Sequence, residues 1–268
     1  MKIIVFGCEG EDETASRICR RYPDQFRQFT EIEKERNLHR FEPEEGDILV
    51  RYGFNSFPSL DEKFDKVYNP AEAIQRNVQK DKSMAIMGEA GVRVPDVFYS
   101  KKEARHHYLL LGRQFQHARG EDIVLIRNSD DLIDDEVSQF WVKMIEPTQY
   151  EFRFHVFKDK VIRKSMKVRK THLEEGEVFN PVIRNHHRGW DFTQQFYWPE
   201  PKSSKPVCVE ESIKAVKSLG LDFGAVDLLL DGENKPWILE VNTGPRMDKG
   251  GRYLFVKSLL EDLRVGEE

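Results

Sequence analysis

Cysteine is scarce: the 268 residues hold three, Cys8, Cys19 and Cys208, an odd number with no metal-ligand spacing. That excludes a disulfide framework and a cysteine-built zinc site, and it fits reduced thiols. No apolar run approaches the roughly 20 residues of a membrane helix. Residues 1–6 lead straight into a short strand pattern instead of a signal peptide, so a cytoplasmic protein with no membrane segment is expected. Positive charge is not in excess either, since the formal net charge is −5. A general nucleic-acid-binding role is therefore not expected. There is no internal repeat or low-complexity tract. The glycine-rich stretch GCEGEDE at 7–13 lacks the three-glycine spacing of a dinucleotide fingerprint and carries acids where a pyrophosphate would sit. No Ser/His/Asp or Cys/His arrangement stands out, so chemistry through a side-chain nucleophile is not indicated.

What the chain does have is a soluble composition, 39% hydrophobic and 33% charged, and enough length for a sizeable core and more than one domain. A strand at 2–7, a helix at 13–21 and a strand at 47–51 give a β-α-β rhythm. This predicts a small open α/β domain over residues 1–70, acting as scaffold and partial substrate wall. A helical segment follows over 71–91, with Ile74, Val78, Met84 and Met87 as its apolar stripe.

The most informative stretch is GLDFGAVDLLLDGENKPWILEVNTGPRM, residues 220–247. Two apolar runs, 223–230 and 236–242, flank a turn cluster, Asp231 to Lys235, which reads as a hairpin. If Asp231 opposes Pro236, Asp227 falls opposite Glu240, and directly opposed residues share a face. Strand alternation adds Asn242 to that face and sends Trp237, Leu239 and Val241 into packing. Two carboxylates and an amide oxygen are hard ligands suited to Mg²⁺ or Mn²⁺, with phosphate oxygens completing the set. A hairpin with an ordinary wet side is the plainer alternative.

Upstream, residues 150–157 alternate, with Glu151, Arg153 and His155 on one face and Phe152, Phe154 and Val156 on the other. The strand at 161–170 puts Arg163, Ser165, Lys167 and Arg169 on one face. Such a row of cations repels itself unless anions oppose it, and phosphate, a substrate carboxylate, or Glu151 and Asp227 are natural partners. A solvated edge strand blunted by charge would look similar. Residues 190–198, WDFTQQFYW, form an aromatic run, 199–206 a connector, and 210–219 an amphipathic helix stopped by Gly220.

The order AVDLLL, a short turn, then WILEVNTGP resembles the metal-bearing strands of the ATP-grasp superfamily, in particular its ribosomal-protein glutamate ligase-like branch. The resemblance covers about 69–257. It implies an α/β (α+β) protein with an ATP-grasp domain over 71–268, a nucleotide lid at about 96–145, and the nucleotide held between two α+β subdomains. It further implies Mg²⁺-dependent use of ATP to join a carboxylate to an amine, on small-molecule or peptide substrates, and it leaves oligomerisation open.

Residue by residue, the match gives Lys82 as a phosphate-binding lysine, with Lys80 open as the alternative. Arg113 stands where the family has its second phosphate-binding lysine, and His117, Arg119 and Gly120 match the loop that closes over the phosphates. The backbone of Lys143, Met144 and Ile145 would meet adenine and Glu151 the ribose, while Arg153 would help hold phosphate or a carboxylate. Lys167, Arg184 and Asn185 fall to the catalytic region. Arg169 and Arg188 fall to the substrate side, and so does Arg246, a long cation where the family commonly has glycine. A small-molecule kinase on the same fold, or a non-catalytic nucleotide- or metal-binding module, are the competing functions.

Overall fold

The computed structural model describes residues 1–7, 13–29, 41–115, 123–173 and 176–265, and their strands form three sheets. The first is parallel, in the order β2-β1-β3-β4, from β1 (Ile3–Gly7), β2 (Phe26–Gln28), β3 (Ile48–Tyr52) and β4 (Lys66–Tyr68). β1 and β3 are buried at every position, as parallel strands covered on both faces must be. Ile3, Val5, Ile48 and Val50 face α1 (Thr14–Arg21), and Ile4, Phe6 and Leu49 face Phe29 and Leu60. The expected strand, helix and strand are present. β2 and β4, with three residues each, are too short to carry a periodic signal.

The helical stretch after Pro70 is two helices, α2 (Ala71–Val78) and α3 (Lys80–Glu89), broken at Gln79 with φ −84° and ψ 102°. Ile74, Met84 and Met87 are buried as the stripe requires, but Val78, the last residue before the break, is 53% exposed. The break starts α3 afresh at Lys80, which matters for the site. Residues 92–95 form no strand, although the Arg93 carbonyl accepts a hydrogen bond from Ile238 N–H at 2.8 Å.

The second sheet is antiparallel, in the order β5-β8-β6-β7, from β5 (Val97–Phe98), β6 (Leu110–Arg113), β7 (Val124–Ile126) and β8 (Phe140–Lys143). Short helices α4 (Lys101–Ala104) and α5 (Ser129–Asp134) accompany it. Leu110, Ile126, Leu132 and Trp141 form its core.

The third sheet runs β11-β10-β9-β12-β13, from β9 (Tyr150–Phe157), β10 (Lys160–Arg169), β11 (Trp190–Thr193), β12 (Phe223–Leu230) and β13 (Pro236–Asn242). Its apolar face, with Phe152, Phe154, Val156, Val226, Leu228, Leu230, Ile238 and Val241, packs against α2, α3 and α6 (Ser204–Ser218). The run at 190–198 divides. Phe196 and Trp198 join this core, with Trp198 stacked 4.6 Å from Phe152, while Tyr197 is exposed. α6 begins at Ser204, earlier than the connector reading of 199–206 allows, because a proline such as Pro206 is tolerated in a first helical turn.

α7 (Lys249–Val265) crosses back to the parallel sheet, and Phe255, Val256 and Leu259 share a core with Ile3, Val50, Tyr52, Phe157 and Phe223. No helix among the described residues is long and apolar enough to cross a membrane.

Candidate functional site

The third sheet's other face carries the charge. β9 lies between β10 and β12, so alternation stacks the polar residues in rungs. Asp227 sits opposite both Arg153 and Glu240, and Ala225 opposite both His155 and Asn242. Arg163 pairs with His155 and Ser165 with Arg153. On the outer strand Phe192 opposes Lys167 and Trp190 opposes Arg169.

The hairpin reaches the expected Asp227–Glu240 pairing by a different route. Near the turn the register is Leu230 to Pro236 and Leu228 to Ile238, one residue off the expected alignment. A bulge between Asp227 and Leu228 on β12, where β13 fits in the extra residue Leu239, then restores Asp227 opposite Glu240. The bulge also breaks alternation along β13. Ile238 and Val241 enter the core, whereas Trp237 and Leu239, expected to pack, are only half-buried. Trp237 instead donates its indole N–H to Asp231 at 2.9 Å and lies under the Arg93 guanidinium.

Each acid on this face meets a cation. Arg153 forks onto Asp227, with Nε donating to Oδ1 at 2.6 Å and Nη2 to Oδ2 at 2.7 Å, the planar bidentate geometry arginine favours. Burial works to lower the Arg153 pKa, but Asp227 outweighs it and holds the guanidinium above its ordinary value. Lys80 donates to Glu240 Oε2 at 2.6 Å. Burial would raise the Glu240 carboxyl, yet the Lys80 ammonium, with Arg113 and Arg153 behind it, brings it down to about 2. Glu151 is buried against the Lys167 ammonium, and Lys167 also donates to the Arg184 carbonyl at 2.6 Å. Burial dominates at Glu151 and pushes its pKa up despite Lys167.

Aromatic rings back these cations. Arg153 and Lys167 lie 4.5 and 5.2 Å from the centre of Phe192, and Arg184 lies 4.8 Å from that of Trp190. These two rings sit at alternate positions of one strand. Reading 190–193 by period two would have singled them out from the aromatic run.

Arg113 reaches the same place from the second sheet. It sits at the end of β6, burial lowers its pKa, and Glu240 is the charge that opposes this. Its Nε is buried without a hydrogen-bond partner among the described residues. A buried guanidinium N–H with nothing to donate to, near Glu240, is a place for an anion.

The other expected residues fall as follows. Lys82 is exposed on α3, and it is Lys80 that the fold brings to Glu240. Arg184 is half-buried, with Nη1 4.0 Å from Glu151, and Asn185 is half-buried beside it. Lys143 is 43% exposed on its side chain and 3.7 Å from Asp96. The amides of Lys143 and Met144 donate to the carbonyls of Asp96 and Leu109, so a purine edge held by 143–145 would have to use other groups of that segment, and Ile145 is buried. Arg169, Arg188 and Arg246 are exposed, Arg169 with its guanidinium 4.1 Å from Phe179. His117, Arg119 and Gly120, with Cys8 and most of the 7–13 turn, lie outside the described residues.

Beyond the metal-type residues the face ends at His155 and the Arg163–Asp248 ion pair. His155 is buried, its Nδ1 has no partner among the described residues, and burial first, then Arg153, lowers its pKa to about 4. The parallel sheet closes this end. Tyr52 donates to the Pro245 carbonyl at 2.5 Å, and Thr14 accepts from Met247 N–H at 2.9 Å. Gly53, at φ +80°, comes so close to Gly244 that an added Cβ would stand 3.1 Å from its Cα.

Asp227, Glu240 and Asn242 therefore offer hard oxygen donors on adjacent rungs of one face. Asn242 Oδ1 accepts one bond, from Gly244 N–H at 2.9 Å, and keeps a second lone pair. This donor set fits a divalent cation such as Mg²⁺.

No family model matches the chain. A stretch of 59 residues is 41% identical to a D-alanine–D-alanine ligase of Bordetella avium, covering 20% of this chain and 18% of that ligase. Solved structures match over nearly the whole length. D-alanine–D-alanine ligase from Bacillus anthracis aligns with a TM-score of 0.69 at 14% identity, over 99% of this chain and 98% of that one. The ATP-grasp ligase PsnB, in complex with a minimal precursor, aligns at 0.65 and 14%, over 94% and 93%. VanG D-Ala:D-Ser ligase from Enterococcus faecalis aligns at 0.65 and 13%, over 96% and 94%. The chain has the ATP-grasp fold.

Proposed function

We propose that the protein is an ATP-dependent carboxylate–amine ligase that works through an acyl phosphate and uses Mg²⁺. The observation that carries this reading is the direct pairing of Asp227 with Glu240 under cations from two sheets, Arg153 from one and Arg113 from the other. A metal and a polyphosphate together fit such a place. Structures of this fold that were solved with ATP or with Mg and ADP support the nucleotide.

A carboxylate is a poor acylating agent, because the oxide it would expel is a hopeless leaving group. Attack of a carboxylate oxygen on the γ-phosphorus of ATP forms a new C(O)O–P bond, breaks the γ-phosphorus–oxygen bond and releases ADP. Amine attack on the acyl carbon then forms the C–N bond, expels inorganic phosphate and gives up a proton to solvent. Bound at Asp227, Glu240 and Asn242, Mg²⁺ would supply Lewis-acid neutralisation of the phosphate oxygens.

The chain's own residues do the remaining work. Arg113 and Lys80 bind phosphate from one side, and Arg153, Lys167 and Arg184 from the other, with Asn185 beside them. Fixed positive charge stabilises the charge that spreads over the transferring phosphoryl group. Phe192 and Trp190 hold three of these mutually repelling cations in place through cation–π contacts. Glu151 takes the ribose hydroxyls, which requires Lys167 to turn toward phosphate, and 143–145 line the adenine. Arg246, with Arg169 and Arg188 at the rim, meets the acyl or amine substrate. Residues 96–145 act as the nucleotide lid over a 71–268 catalytic unit, with 1–70 as the wall behind the acceptor. Within the fold, NTGP at 242–245 is similar to the glutamate ligases, while Arg246 departs from them.

A screen of amino acids, peptides and polyamines for ADP release tests this. ADP release that requires both a carboxylate and an amine supports the ligase. Release with a stable phosphorylated product and no amine would make it a kinase, and nucleotide binding without any turnover would leave a binding module.

A further inference from the structure

Cations outnumber acids around the paired carboxylates. Lys80, Arg113, Arg153, Lys167 and Arg184 surround Glu151, Asp227 and Glu240. Arg113 keeps a buried Nε with no acceptor among the described residues. This face lacks an anion before it lacks a cation.

The acids are not held alike. Arg153 and Lys167 come from the same sheet as the acids they hold, Arg153 directly opposite Asp227 and Lys167 bonded to Glu151 from the neighbouring strand, so their positions are set by the sheet itself. Lys80 is the exception, because it comes from α3, 160 residues away in sequence, at the first residue after the break at Gln79. Its ammonium lies 2.6 Å from Glu240 Oε2, where a divalent cation bound by Glu240 would repel it. It is a compact charge on a flexible four-carbon stem, free to swing without disturbing the sheet. Its side chain is 29% exposed and that of Glu240 31%, so solvent reaches both.

The geometry points to Lys80 as an exchange residue, holding the metal carboxylate Glu240 while no nucleotide is present and passing to a phosphate when one arrives. The inference rests on the reading of Asp227, Glu240 and Asn242 as the metal ligands. Its consequence is reciprocal. Polyphosphate draws Lys80 off Glu240 and opens the carboxylate to the metal, and a metal on Glu240 favours Lys80 on phosphate. Divalent metal alone is excluded, because it would compete with an ammonium already in place and leave Arg113 and Lys80 facing added positive charge. Lys80 is a positioning residue for the metal, and losing it should move two affinities in opposite directions.

The test uses the full chain, with Mn²⁺ as the metal probe and ADP as the nucleotide. Free Mn²⁺ is followed by electron paramagnetic resonance without nucleotide, and ADP binding by calorimetry in chelator. In Lys80→Met, Mn²⁺ alone should bind at least ~5-fold tighter than in the wild type, and metal-free ADP at least ~5-fold weaker. Lys80→Arg should keep Mn²⁺ out as the wild type does. Lys80→Gln repeats the first comparison with a polar side chain if the methionine variant does not fold. Mn²⁺ affinity that is unchanged or lower in both neutral variants, whatever happens to ADP, overturns the exchange and leaves a plain phosphate-binding lysine. The parent reading fails separately. If Glu240→Gln binds Mn²⁺ with ADP as tightly as the wild type, the metal assignment is wrong irrespective of Lys80.

Discussion

The two faces of the third sheet are built by the same strands from alternate residues, yet they are held together in opposite ways. On one face Phe152, Phe154, Val226 and Leu228 interlock with the helices, and no single contact is decisive. On the other, Glu151, Asp227 and Glu240 each rest on one or two named cations, and Arg113 and His155 each retain a buried nitrogen without a partner among the described residues. The apolar face is complete as it stands. The polar face is satisfied only in part, which is what a surface prepared for an anionic ligand requires. Damage to the first should appear in stability, and damage to the second in binding and turnover.

The largest expected effect on stability lies on the apolar face. Phe154 is fully buried, and Phe154→Ala should cost about 3–5 kcal/mol in urea unfolding, while any protein that remains folded keeps its nucleotide affinity. Equal losses of stability and affinity would blur the contrast between the faces.

His155 is next, because it lies on the polar face but is buried like a core residue. Its pKa falls from an ordinary 6.5 to about 4 in the fold, so the unfolded chain binds more protons between those values. Burial first, and then Arg153 and Arg163, oppose its protonation, and Asp227 and Asp248 favour it less strongly. Its contribution is therefore whole above pH 6.5 and is lost as pH falls toward 4, on the order of 3 kcal/mol. His155→Gln should flatten that part of the stability–pH curve. An unchanged slope would show that other groups carry it.

On the nucleotide side, Glu151→Gln should weaken ATP binding roughly 10-fold, with little change in melting temperature, since the amide retains a hydrogen bond to Lys167. Alanine would confound the result by stranding a buried ammonium. ATP affinity equal to wild type by calorimetry would move the ribose elsewhere. The smallest effect is expected at the exposed rim. Arg246→Ala should raise the KM for the acyl or amine substrate a few-fold, about 1 kcal/mol, and leave that for ATP alone. Parallel shifts in both would remove Arg246 from the substrate end.

Much of the polar face was legible because strands alternate. Glu151, Arg153 and His155 on β9 follow from period two, whereas Asp227 opposite Glu240 is expected from a turn register one residue off and is reached only through the bulge. What period two cannot supply is the bulge at Leu239, a local accommodation of twist that moved Ile238 into the core in place of Trp237. Nor could it separate Lys80 from Lys82. Gln79, Lys80, Asp81 and Lys82 carry no proline or glycine, and ordinary helix propensity runs through them, so only tertiary contacts reveal the break. Arg113 was placed by family likeness, and its approach to Glu240 joins two sheets far apart in sequence. Contacts of that kind leave no periodic trace.

If this face activates a carboxylate as an acyl phosphate at the Asp227–Glu240 pair, hydroxylamine will trap it. With ATP, Mg²⁺ and a carboxylate found by the ADP screen, but no amine acceptor, hydroxylamine should convert the activated acid to its hydroxamate in step with ADP release. Glu240→Gln should reduce both by at least ~100-fold while its melting temperature stays near wild type. ADP release without hydroxamate, or a folded Glu240→Gln protein that turns over at the wild-type rate, would mean that no acyl phosphate forms at this pair.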